Sequence, residues 1–168
     1  MENDVAPDRE KLHPPTMNWS NIARDFEPGG GLRDIYILGG SLPVWDAVWT
    51  LLIADADLLE FSIDGERAAA PGDLREIFGR SSSHGFLATY KLGGMALNCH
   101  FFGLDEVEFD LDPRDVVSAI DAKLLEDFLA RMGRVTRQEV ILTPENHRES
   151  VIARYDPHID RVTWSRDS

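Results

Sequence analysis

Phe86–Leu92 (FLATYKL), Gly93-Gly94, Met95–Phe102 (MALNCHFF), Gly103 and Glu106–Leu111 (EVEFDL) form the stretch that decides the fold. Apolar and polar residues alternate through each of the three runs, which is the period of a half-buried strand. Phe86, Ala88, Tyr90 and Leu92 share one face. Met95, Leu97, Cys99 and Phe101 share another, and Val107, Phe109 and Leu111 a third. Gly93-Gly94 is a two-residue hairpin signal. The stretch therefore predicts a three-stranded antiparallel meander with one apolar face.

Helical patterning lies on both sides of it. Ser41 is placed to cap a helix with Pro43 in its first turn, where a missing N–H costs little. Trp45, Val48, Trp49 and Leu52 follow the spacing of one helix face. Two tryptophans there read as core. Downstream, Asp121 to about Met132 predicts a second helix with the stripe Leu124, Leu125, Phe128, Leu129 and Met132, and Gly133 is placed as its stop. Asp34–Leu38, Leu59–Ile63, Glu139–Thr143 and Ser150–Tyr155 read as further strands. Arg67–Ala70 and Ile159–Trp164 are weaker candidates. Most links are too short for crossover helices, so the expected fold is α+β. It has a mainly antiparallel sheet of about six to seven strands, with two principal helices packed on one face. Residues 1–16, with Pro7, Pro14 and Pro15 among charges, are expected to form a flexible N-terminal arm. Residues 17–168 are expected to form a single domain.

Composition narrows the function classes. The 168 residues carry a net charge of -13. Such a charge repels phosphate and anionic lipid, so neither nucleic acid nor a membrane is the expected partner. No apolar run approaches the ~18 residues of a bilayer span. Met1–Thr16 lacks the apolar centre of a signal peptide, and the single Cys99 offers no disulfide framework, so the expected location is cytoplasmic.

The charge is unevenly spread. Residues 105–127 hold nine acids against two bases, a net of -7, whereas residues 131–168 hold seven bases against six acids. Period two puts Glu106, Glu108 and Asp110 on one face of their strand, with Asp112 following. Like charges so placed repel. Solvation or protection of an edge accounts for such a face, and so does a docking surface for a basic protein partner. By analogy of composition alone, small acidic inhibitors of the immunity or antitoxin kind work in the second way.

Catalytic signals are weak. Cys99 and His100 are adjacent in a strand and so point to opposite faces, which prevents their acting as a nucleophile–base pair. His100 could meet a carboxylate of the acidic strand if that strand is its neighbour. Ser81-Ser82-Ser83-His84-Gly85 lacks a nucleophile elbow. Glu27-Pro28-Gly29-Gly30-Gly31 precedes a strand, without the lysine and hydroxyl of a phosphate loop. His13, His147 and His158 have no zinc-like spacing. No cofactor or metal is expected. The leading expectation is a non-enzymatic interaction module that binds through Glu106, Glu108, Asp110 and Asp112. The alternative is a small-ligand binder or hydrolase-type enzyme with a pocket between sheet and helices near His100, with His84 a second candidate. Homodimerisation is a further reading for a sheet protein of this size.

Overall fold

The computed structural model describes residues 17–29 and 31–167. The expected arm at 1–16 lies outside these residues. Among the described residues, nine strands form one sheet: β1 (Arg33–Ile37), β2 (Leu59–Ile63), β3 (Glu66–Ala68), β4 (Phe86–Leu92), β5 (Met95–Gly103), β6 (Glu106–Leu111), β7 (Val140–Pro144), β8 (Ala153–Asp156) and β9 (Arg161–Trp164). Their order is β3-β2-β4-β5-β6-β1-β7-β8-β9, with every neighbour antiparallel. The fold class is thus α+β around a large antiparallel sheet. The expectation of six to seven strands was too low, because the three-residue β3 and four-residue β9 do pair with the sheet.

Four α-helices are described: α1 (Trp19–Ile22), α2 (Leu42–Ala54), α3 (Leu74–Phe78) and α4 (Ala119–Thr136). Ser41 caps α2 by accepting from the Val44 amide, as its position predicts. The helix α4 starts earlier than expected. Its cap is Ser118, whose hydroxyl accepts from the Asp121 amide, while the Asp121 carboxylate accepts from the Val117 amide. Nor does Gly133 stop it. The helix continues to Thr136 and ends at Arg137, a left-handed residue with φ 58°. Gly133 serves close approach: a Cβ added there would lie 1.9 Å from Cδ1 of Tyr155 on β8.

One face of the sheet carries the core. Trp45 and Trp49 of α2 pack on Phe101, and Trp49 also meets Phe61. Phe128 of α4 packs against Tyr90 and Phe109. Both indole N–H groups are satisfied, Trp45 by the Gly103 carbonyl at 3.0 Å and Trp49 by that of Pro71 at 2.8 Å. This removes the cost of burying a polar tip with an aromatic body. Cys99 is fully buried on this face. Burial pushes its thiol strongly upward, and the nearby Asp110 and Glu108 charges add to the shift, so it is no nucleophile. No helix among the described residues is long and apolar enough to cross a membrane.

Candidate functional site

Alternation along the central strands sends a second set of side chains to the face away from α2 and α4. The register aligns them. Asn98 on β5 lies opposite Asp110 on β6, and Asp110 opposite Asp34 on β1. One step along, His100 lies opposite Glu108, and Glu108 opposite Tyr36. Two polar rows thus cross three adjacent strands at the centre of the sheet.

The first row is a closed network. Thr89 donates to Asn98 Oδ1 at 2.9 Å, Asn98 Nδ2 donates to Asp110 Oδ1 at 3.1 Å, and His100 Nε2 lies 2.5 Å from Asp110 Oδ2. The Asp110 contact raises the His100 pKa against the opposing effect of burial. The His100 ring stacks on Phe102, with centroids 5.1 Å apart and planes 11° from parallel. Phe102 itself is 66% exposed.

The second row is not closed. Among the described residues, no hydrogen bond or ion pair reaches the Glu108 carboxylate. Burial first, and then the charges of Asp34 and Glu106, push its pKa up to about 7. Tyr36 donates to Asp34 Oδ2 at 3.0 Å, and the same oxygen accepts from the Asn146 amide at 3.0 Å. Burial and the Asp34 carboxylate raise the Tyr36 pKa. The turn after β7 folds over this end of the face and brings Arg148 down. Its guanidinium carbon sits 4.0 Å from the centre of the Tyr36 ring, and it pairs with Glu106. Tyr36, Glu106, Glu108, Asn146, Arg148 and Glu149 line a shallow groove of about 380 Å³.

The residues singled out from sequence part company here. Glu106, Glu108 and Asp110 share one face as expected, together with His100. They are only half exposed, and Asp110 is already engaged by His100 and Asn98. Asp112 stands apart: it caps the turn Pro113–Asp115 and pairs with Arg114 at 2.6 Å, which holds its carboxyl down at about 2. His100 and Asn98 face away from the helices, so the expected pocket between sheet and helices does not contain them. His84 pairs with Asp64 at 2.7 Å in a separate exposed loop. The neighbouring Ser81 and Ser83 hydroxyls donate to the backbone carbonyls of Phe78 and Arg80, not to that histidine. Near the glycine-rich segment, the Arg33 guanidinium donates to the carbonyls of Asp25, Gly31 and Leu32.

Asp34, Tyr36 and Arg148 escaped the sequence reading. The first two alternate with Ile35 and Ile37 in a strand that is buried along its whole length, so exposure does not set them apart from its apolar residues. Nothing local marks Arg148, which is 42 residues from Glu106. Among the described residues, no group of three or more histidine, cysteine or carboxylate side chains is arranged to hold a metal ion.

The arrangement concentrates carboxylates, with the Glu108 carboxyl pushed up to about 7 and the His100 ring held protonated to higher pH by Asp110. No nucleophile stands beside them among the described residues. Comparison of the chain with known proteins finds no matching family model, no matching curated protein and no matching solved structure.

Proposed function

We propose that this protein is a non-enzymatic interaction module whose polar sheet face docks a basic protein partner, in the manner of a small acidic inhibitor. One observation carries the reading. Glu106, Glu108 and Asp110 share one face of β6 and Asp34 lies opposite Asp110 on β1, while among the described residues the cations in contact with or acting on this group are His100 and Arg148. Within the isolated chain this arrangement costs stability, because burial and the Asp34 and Glu106 charges outweigh the help Glu108 receives from His100 and Arg148. A cation from outside would relieve that cost, and the long-range field of a strongly acidic chain would speed its approach. The exposed Phe102, stacked on the His100 ring, offers the apolar contact that interface anchors use.

The test is capture of binding proteins from native lysate at low and moderate salt, with the chain and with a Glu106→Gln/Glu108→Gln/Asp110→Asn variant of unchanged circular dichroism. A stoichiometric basic partner, held less tightly at higher salt and lost with the variant, is the expected outcome. A partner retained in full by the variant would show that the acidic face is not the docking surface.

A second reading rests on the His100–Asp110 pair and on Glu108 titrating near neutrality, a combination suited to acid–base work on a small ligand. The lack of a nucleophile or an enclosed cavity beside these groups, among the described residues, places it second.

A further inference from the structure

We infer that the groove beside Tyr36 is an arginine site, and that Arg148 is its resident stand-in, displaced when an arginine of the basic partner enters. The inference rests on the docking reading and names the chemistry the docking uses. Three observations carry it.

The first is the shape of the contact already present. The Arg148 guanidinium lies over the face of the Tyr36 ring while pairing with Glu106 at the edge. The contact with Glu106 runs through one guanidinium nitrogen, Nη2, so it is the stacking of a flat, delocalised cation on the ring that favours a guanidinium over an ammonium here. The ring is held in place for it: Tyr36 is 4% exposed, and its hydroxyl is anchored on Asp34.

The second is unspent charge. Glu106 and Glu108 point to the same side of β6, two residues apart; Glu149, at the rim of the same groove, is already paired with His147. One guanidinium serves Glu106 and leaves Glu108 without a direct partner, with His100 as the nearest cation across the strand pair. A guanidinium arriving from solution can stack on Tyr36 and reach both carboxylates. Arg148, tethered to its turn, pairs directly with Glu106 and acts on Glu108 only through its charge.

The third is the ease with which the occupant can leave. Arg148 sits in the turn between β7 and β8, and its side chain is 52% exposed, so it can swing into water without breaking the core. Asn146, with φ 60°, supplies the left-handed residue that shapes this turn, and its amide is fixed to Asp34. The backbone of the cradle therefore stays in place when the side chain departs. A tethered side chain competes at a high effective concentration, so its removal raises the apparent affinity for an outside guanidinium.

The experiment is a titration of the isotopically labelled chain with N-acetyl-arginine amide and, separately, N-acetyl-lysine amide, followed by the ring resonances of Tyr36 and the side chain of Glu108. The expected result is saturable shifts at both positions with the arginine compound. Binding of the lysine compound should be weaker by about tenfold, given the loss of stacking. Arg148→Ala should bind the arginine compound several-fold more tightly. Arg148→Gln serves the same purpose should the alanine variant fold poorly, with folding checked by circular dichroism. Equal binding of the two compounds, or weaker binding in both Arg148 variants, overturns the cradle while leaving the acidic face free to dock a partner through general charge attraction. Absence of saturable shifts at Tyr36 in the parent and in both variants also overturns it. The docking reading itself stands or falls on the separate capture with the charge-neutralised face.

Discussion

Glu108 is the residue at which local chemistry and packing disagree most. Its neighbours on β6, Val107 and Phe109, are buried and fix its direction. The strand then holds its carboxylate beside Asp34 and Glu106, where burial and like charge disfavour ionisation. A group whose folded pKa rises from 4.5 to about 7 destabilises the folded chain at pH 7.5, where both states must be ionised. The side chain is partly exposed, so solvent screening reduces the effect to about 1 kcal/mol. Glu108→Gln is therefore expected to raise the melting temperature at pH 7.5 by roughly 2–4 °C for a domain of this size. At pH 4, where the parent side chain is already protonated, the two proteins should melt together. A Gln variant that melts lower at pH 7.5 would mean that an unseen partner satisfies this carboxylate. At this scale the sequence was partly legible. Strict alternation placed Cys99 in the core and His100 on the opposite face, and it grouped Glu106, Glu108 and Asp110. It could not supply Arg148 or Tyr36, because their contacts depend on a turn and a strand pairing that no local pattern encodes.

At the scale of elements, helix and strand identities followed from periodicity, whereas their ends and their neighbours did not. The helix α4 shows why. A glycine after an apolar stripe resembles a stop, but Gly133 sits inside the helix, with the Tyr155 ring of β8 against its backbone. The constraint comes from a strand more than twenty residues away, so the local pattern is read correctly and still misleads. Gly133→Ala tests this. Alanine favours a helix interior by about 1 kcal/mol over glycine, so a purely local view predicts stabilisation. The new Cβ would instead collide with a buried ring 1.9 Å away. Forcing apart a packed helix–sheet contact typically costs about 1–3 kcal/mol, and a net loss of about 1 kcal/mol or more is expected in a urea melt. A gain in stability would show that Tyr155 can rotate aside freely. Strand order has the same origin. β1 enters the sheet between β6 and β7, and so brings Asp34 and Tyr36 beside the acidic strand. That insertion builds the candidate site, and it is set by tertiary pairing across more than seventy residues.

For the whole molecule, the titrations on the polar face point in one direction. Between about pH 4.5 and 7 the folded chain binds the Glu108 proton more tightly than the unfolded chain does, so stability falls as pH rises through that window. His100, raised above 6.5 by Asp110, contributes stability that is complete below 6.5 and is lost as pH rises through its folded value. Self-repulsion of an acidic chain grows over the same interval. Carboxyls held low by partners, such as Asp112 at about 2, oppose this trend only at lower pH, since their contribution is complete above the ordinary aspartate value of 3.8 and disappears as pH falls through the depressed one. The melting temperature should therefore peak near pH 5 and decline by several degrees toward pH 8, at constant ionic strength. In Glu108→Gln the decline should be shallower, with His100 accounting for the remainder. A melting temperature that is flat or rising from pH 5 to 8 would contradict this arrangement of charges. The same coupling fixes how docking responds to pH. A guanidinium bound beside Glu108 favours the ionised carboxylate, so binding releases a proton and tightens as pH rises through about 7. Between pH 5 and 8, the end of the range at which the free chain is less stable is thus the end at which a cationic partner would hold it best. Stabilisation by that partner should consequently be larger at pH 8 than at pH 6, and loss of the His100 proton, which removes a positive charge from the same face, acts in the same direction.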